Sequence, residues 1–401
     1  MSNLLPLVSE LEKEGIEKIR EVLGNELPHD LDTDFNLRRW VCGWKGDMKQ
    51  IEPRLRTYIQ NRKALKLDAP DLLDQPIDPI IHRGFKHLSL SVRINPLINP
   101  IDNTVVVYYR LGNVDLTGLT KIFTPSEYLY MSFHMSEVVH RHIMRQEKIS
   151  GKPSGITLLY DLHGIHYGDF INPSATHMKL GALAMALQQD YYCDMLHQIV
   201  CVRVPPFMSI VWEIMKRFLN EATQKKFIIF TEHKFRQHIF DYVHPSCVPV
   251  SYGGEYRETD DTTDPRLAYL QIDADMGTSI PQPVAESEYF KSSWIPEWTC
   301  EHIKPKRTLT VVRSVKDAAK TMLRWQFEAN SNVEFAVYYK KEGQPRKMVA
   351  PKFTLCTPHF PEENHLRCRD HGVGDYIFEF SNHSTSWFSL KLSYCIIEAE
   401  G

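Results

Sequence analysis

No uninterrupted apolar run in the 401 residues approaches the ~18 needed to cross a bilayer as a helix, so a membrane-spanning helix is not expected. An excess of one charge is missing too. Forty-seven basic side chains face 50 acidic ones for a net charge of -3, which is not the basic balance of a nucleic-acid binder. The opening Met1-Ser-Asn-Leu-Leu-Pro-Leu runs into Ser9-Glu-Leu-Glu with neither a charged n-region nor an apolar h-region, so a cytoplasmic protein is expected. The eight cysteines include no Cys-x-x-Cys pair, and buried free thiols are expected rather than disulfides.

The common catalytic signatures are absent as well. There is no Gly-x-Ser-x-Gly elbow, no Gly-x4-Gly-Lys-Ser/Thr loop and no Gly-x-Gly-x-x-Gly after a strand. The histidines offer no metal spacing either. His134 and His140 lie six apart on one helix, nearly on opposite faces, so His134, Glu137, His140 and His142 read as an exposed polar face. His163 and His166 follow a strand, but no third ligand is near in sequence. No metal, cofactor or catalytic residue is predicted, and the protein is expected not to be an enzyme.

What is present falls into three regimes. Residues 1–68 read as helices, with Leu11, Ile16, Ile19 and Leu23 at helical spacing. Asp47 opens a helix in which Pro53 falls too deep, predicting a kink or a later start. From 76 to 256, strands (85–94, 104–110, 156–161, 199–204, 227–230) alternate with helices (125–148, 175–191, 207–219, 232–240), which implies a mainly parallel sheet. Residues 257–284 read as a linker, polar at its start. From 285 to 399 short strands predict an antiparallel β-sandwich, in which Tyr376, Phe378, Trp387 and Phe388 read as core and cross-strand pairs. The fold class is therefore α/β plus all-β, each part with its own core.

Two stretches carry a family resemblance. Asp161-Leu-His-Gly164 after a strand, Tyr191-Tyr192, and the closing Val248-Pro-Val-Ser-Tyr-Gly253-Gly254 resemble the CRAL-TRIO domain, with Leu37-Arg-Arg-Trp-Val and Tyr58-Ile resembling its helical lead-in. Gly374-Asp-Tyr-Ile-Phe-Glu-Phe-Ser-Asn382 through Trp387 to Tyr394 resembles the last strands of a GOLD domain. Their order resembles the supernatant-protein-factor group of lipid-binding proteins.

That resemblance implies a protein holding one hydrophobic lipid, with transient contact to endomembranes and a GOLD domain for a membrane or protein partner. Extracting a diacyl lipid costs on the order of 20 kcal/mol unless a cavity matches the burial. The helix 207–219 matches the family's gate, which makes Phe207, Val211, Trp212, Met215, Phe218 and Leu219 candidate lipid contacts. Asp194, Thr223 and Lys226 match headgroup positions. Trp44 stands where inositol-lipid carriers have Arg, and Cys193 where they have Pro, so bidentate phosphate capture is not expected. The alternative is a trafficking scaffold with a vestigial pocket.

Overall fold

The computed structural model describes residues 5, 7–75, 78–88, 96–169, 172, 175–216, 221–231, 234–256, 283–292, 294–357, 361–382 and 387–401. Helix α1 (Glu10–Leu23) opens with a capping box between Ser9 and Glu12 and buries Ile16, Ile19 and Leu23. Helices α2 (Asp34–Gly43) and α3 (Met48–Ala64) complete the lead-in. Asp47 caps α3 through the Lys49 N–H, so that helix does not start late, and Pro53 lies inside it.

Helix α4 (Pro79–His87) replaces the first part of the strand expected at 85–94. Asp78 accepts from the N–H groups of Ile80 and Ile81, and Pro79 takes the first helical position, which together favour a helix start over an extended run. Residues 89–94 of that expectation lie outside the described residues.

A five-stranded sheet follows, in spatial order β1 (Leu97–Asn99), β2 (Thr104–Arg110), β3 (Ile156–Asp161), β4 (Leu196–Val204) and β5 (Phe227–Thr231). β2 to β5 run parallel, and β1 pairs antiparallel with β2 through a short turn. The crossovers carry α6 (Pro125–Ser150), α7 (Thr176–Tyr191) and α8 (Met208–Met215), while the four-residue α5 (Leu116–Leu119) precedes α6. Short α9 (Glu221–Gln224) and α10 (Phe235–His238) flank β5.

The polar face expected on α6 is not exposed. Glu137, His140 and His142 are all buried, because the lead-in helices cover the side of α6 that the sheet does not. The Glu137 carboxylate accepts from Tyr58 Oη at 2.8 Å, Tyr192 Oη at 3.1 Å and Arg62 Nε at 3.0 Å, and Arg62 also reaches Asp30 at 2.6 Å. His140 meets Asn36 at 2.8 Å, and burial holds its imidazole well below the ordinary histidine range. At the other end of α6, Glu147 pairs with Arg39 of α2. Buried charges persist in an apolar interior only when paired in this way.

The C-terminal strands form two four-stranded antiparallel sheets. One has the order β10 (Lys347–Leu355), β9 (Val333–Lys340), β12 (Gly374–Asn382), β7 (Arg307–Val315); the other β11 (Glu362–Arg367), β8 (Thr321–Ala329), β13 (Leu390–Glu400), β6 (Thr299–Ile303). Phe327, Phe335, Phe378, Phe380 and Trp325 interdigitate between them. Tyr376 and Phe378 are core, as their alternation predicts. Trp387 and Phe388 are not: they are 92% and 80% exposed, on the loop that leads into β13. Aromatic residues next to a strand carry the same signal whether the chain is still pleated there or has already turned away.

The expected separate cores are also corrected. One apolar cluster runs from Ile16 and Tyr58 through Phe133 of α6 to Phe353, Trp325 and Phe380 of the sandwich. Strands β10 and β11 dock on α3 and the start of α6. Phe133 and Phe353 ring centroids lie 6.0 Å apart, and the buried Glu362 carboxylate accepts the Ser126 N–H at 2.8 Å. Residues 257–282 lie outside the described residues, but Val284, at the end of the expected linker, is buried and donates its N–H to Asp115 at 3.1 Å. Phe290 N–H then bonds Lys121, and His87 meets Glu288 at 2.9 Å, so residues 284–290 lie across the α/β unit before the sandwich begins.

All eight cysteines are free; Cys300 is exposed and Cys42 half-buried. Burial pushes the Cys201 thiol up to about 12, which keeps it protonated and inert.

Candidate functional site

The carboxyl ends of β3 and β4 are organised around Asp161. Arg203 donates from Nε to both carboxylate oxygens at 3.1 Å, and the Tyr252 hydroxyl donates to Asp161 Oδ2 at 2.5 Å. Arg203 sits at φ 50°, where the β4–β5 register shifts, and this bulge turns a buried guanidinium towards Asp161. Burial next to that carboxylate pushes the Tyr252 phenol well up. Two motifs 91 positions apart, Asp161-Leu-His-Gly164 and Tyr252-Gly253-Gly254, thus meet in one buried network. Gly254 is obligatory there, since a Cβ would lie 2.0 Å from the Val248 carbonyl oxygen. These residues lock the sheet.

A second convergence lies at the amino end of β4. Gly43 packs on Cys193, where an added Cβ would come within 2.5 Å of the Cys193 Cβ, so the lead-in touches this turn directly. The Cys193 thiol donates to the Arg39 carbonyl at 3.4 Å. Asp194 adopts φ 54° and pairs with Lys226 Nζ at 3.3 Å, and Lys226 also donates to the Leu196 carbonyl. Trp44 follows as the C-cap of α2, with the Arg54 guanidinium 3.9 Å over its ring. Arg54 is in turn held by Asp190 at 3.0 Å and by Gln50 at 2.6 Å. Sequence reading missed Arg54; only the stacking on Trp44 places it beside the motif.

Of the predicted headgroup residues, Asp194 and Lys226 are therefore brought together. Thr223 lies on α9, and its side chain lies outside the described residues, as do those of Val211 and Met215 on α8. Phe218 and Leu219 also lie outside the described residues. Phe207 precedes α8 and packs edge-on to Tyr167 at 5.6 Å; Trp212 meets Phe227 at 4.8 Å. Both are half-buried, and Ile210 between them is 58% exposed. The described side chains of α8 are thus exposed or half-buried, unlike those of an ordinary buried crossover. Among the described residues no group of His, Cys, Asp or Glu has a metal-binding arrangement, and no helix is long and apolar enough to cross a membrane.

Comparison with known proteins agrees with this geometry. Residues 101–254 match the CRAL/TRIO domain, which spans β2 to the Gly253-Gly254 ending. The chain carries a CRAL-TRIO domain. A CRAL-TRIO domain-containing protein of Caenorhabditis elegans is 24% identical, over 97% of this chain and 96% of its own length. Protein ctg-1 of the same organism is 22% identical over 97% of both chains. The crystal structure of Sfh5 aligns with 67% of this chain and 98% of its own at 15% identity and a TM-score of 0.46, a likeness too loose to bear on the fold.

Proposed function

We propose that this protein holds one hydrophobic lipid in its CRAL-TRIO domain and carries or presents it between endomembranes from the cytoplasmic side. The observation that carries the reading is the apolar helix α8, whose described side chains are exposed or half-buried, within a segment that matches the CRAL/TRIO domain. Such a helix can lift from the sheet for the cost of modest apolar contact, as a cover must. The C-terminal sandwich, read as a GOLD domain of the supernatant-protein-factor type, supplies contact with a membrane or a protein partner. No chemical step is proposed. Of the buried carboxyl groups, Glu137, Asp161 and Glu147 are each engaged by an arginine and Glu362 by Ser126.

Inositol-lipid selectivity is not part of the reading. Trp44 occupies the position of the capturing Arg, and Arg54 beside it is already engaged by Asp190 and Gln50. A buried phosphate left with Lys226 alone, itself paired with Asp194, is not repaid for its desolvation.

Native mass spectrometry with lipid extraction tests the reading. Protein purified from cells is expected to hold about one lipid per chain and to move labelled lipid between vesicles. Lipid-free protein that transfers none of several lipid classes would sink it and favour a scaffold with a vestigial pocket. In competition with mixed liposomes, a preference for phosphatidylinositol below tenfold, about 1.4 kcal/mol, is expected.

A further inference from the structure

Two of the most exposed large apolar side chains among the described residues are neighbours. Trp387 and Phe388 project at 92% and 80% exposure just before β13. Phe388 is tied through Asn382 to the turn between β6 and β7. The buried Asn382 amide donates to the Ile303 carbonyl at 2.9 Å and to the Phe388 carbonyl at 3.1 Å, and the Asn382 carbonyl accepts the Lys306 N–H at 2.5 Å. The tied turn reads Lys304-Pro305-Lys306-Arg307, and its three cations are exposed and form no ion pair among the described residues. Lys391, opposite His302 in the β13–β6 register, adds a fourth exposed cation. The aromatic pair therefore stands on a fixed end of the sandwich with a basic collar.

It lies away from the docked side of the sandwich. The sandwich docks on the rest of the chain through β10 and β11, whereas β6 and β7 are the opposite edges of the two sheets. We propose that this tip is a membrane-docking device: Trp387 and Phe388 enter the interfacial region of a bilayer while Lys304, Lys306, Arg307 and Lys391 meet anionic headgroups. Indole and phenyl rings favour the headgroup level, and cations near an anionic leaflet add to the binding. A protein partner fits less well. Two aromatic side chains present far less than the roughly 800 Å² per partner of a specific interface, whereas a bilayer asks for no shape complementarity. The sign of the collar also opposes the net charge of -3 of the whole chain, so the attraction is local and orients the molecule.

This inference deepens the carrier reading and rests on it for the reason to visit a bilayer, but the two fail separately. The full chain is mixed with vesicles of phosphatidylcholine alone or with about one third phosphatidylserine, and binding is read by co-sedimentation. The Trp387→Ser/Phe388→Ser and Lys304→Glu/Lys306→Glu/Arg307→Glu variants are compared with wild type, and lipid content is read on all three by native mass spectrometry. Wild type is expected to bind the anionic vesicles, and each variant at least tenfold more weakly, with lipid content unchanged. Thermal melts of these surface variants are expected to match wild type. Vesicle binding unaffected by either variant, or absent in wild type, overturns the proposal even if every protein is lipid-loaded. So does a dimer that the aromatic variant turns into a monomer, since the tip would then be a self-interface. Tip-dependent binding by a protein that never holds lipid would keep the proposal and remove the carrier.

Discussion

Asn61 and Lys352 lie 291 positions apart and are joined as though by a rung of β-sheet. The Asn61 side-chain amide accepts the Lys352 N–H at 2.8 Å and donates to the Lys352 carbonyl at 3.3 Å, satisfying the otherwise unpaired outer edge of β10. A lead-in helix thus does for the sandwich what a neighbouring strand would do, and it closes an edge that would otherwise be open to pairing with another chain. Asn61→Ala leaves a half-buried N–H and carbonyl without their side-chain partner. A loss of about 2 kcal/mol is expected in chemical denaturation, with Asn61→Asp, which can accept but not donate, close behind.

The continuous cluster from Ile16 to Phe380 makes the parts of the chain interdependent. Calorimetry of the whole protein should show one cooperative transition rather than two. A chain ending at residue 282 uncovers Phe133, Tyr130 and the Ser126 end of α6, and should aggregate or melt well below the full chain. Two resolved transitions, with the shorter chain as stable as the first, would instead show separable units.

Glu362 gives the docking a pH dependence. Burial, with Glu127 and Glu363 nearby and opposed by the Ser126 hydrogen bonds, pushes its carboxyl up to about 8. Because the folded value lies above the ordinary one of 4.5, folding takes up a proton between the two. The contribution is fully present below pH 4.5, declines as pH rises and is gone above about 8. Stability measured from pH 5 to 9 should fall by on the order of 2–4 kcal/mol more in wild type than in Glu362→Gln. Parallel curves for the two proteins would exclude it.

At the Asp161 network the three partners should couple. Asp161→Ala strands the buried Arg203 and is expected to cost about 3–5 kcal/mol, while Tyr252→Phe removes one hydrogen bond and costs about 1–2 kcal/mol. A double-mutant cycle between them should show a coupling of at least ~0.5 kcal/mol, because both side chains act on the same carboxylate.

Much of the architecture was legible from the chain. Alternation from 333 to 340 gave β9 to the residue, and the apolar runs at 104–110 and 156–161 gave β2 and β3, since pleating and helical winding each impose a period on side chains. The weak elements were not legible. β6 and β11, with Thr299-Cys-Glu-His-Ile and Glu362-Glu-Asn-His-Leu-Arg, are polar strands at sheet edges and carry little alternation. The site was legible as motifs: Asp161 and Tyr252, Asp194 and Lys226. Arg203 and Arg54 were not, because the carboxylates they pair with, Asp161 and Asp190, lie 42 and 136 positions away.

By itself, then, the sequence determined the succession of helices, parallel strands and antiparallel strands, and the turn residues that end them. These follow from local propensities and periodicities that act within one element. Tertiary structure alone decided which polar residues are buried and which aromatic ones are bare. Glu137 and His140 on α6 look like a solvated face until the lead-in helices cover them, and Trp387 and Phe388 look like core until the chain turns away before β13. Burial is a property of what else packs nearby, often from hundreds of residues away, and no window along the chain contains that information.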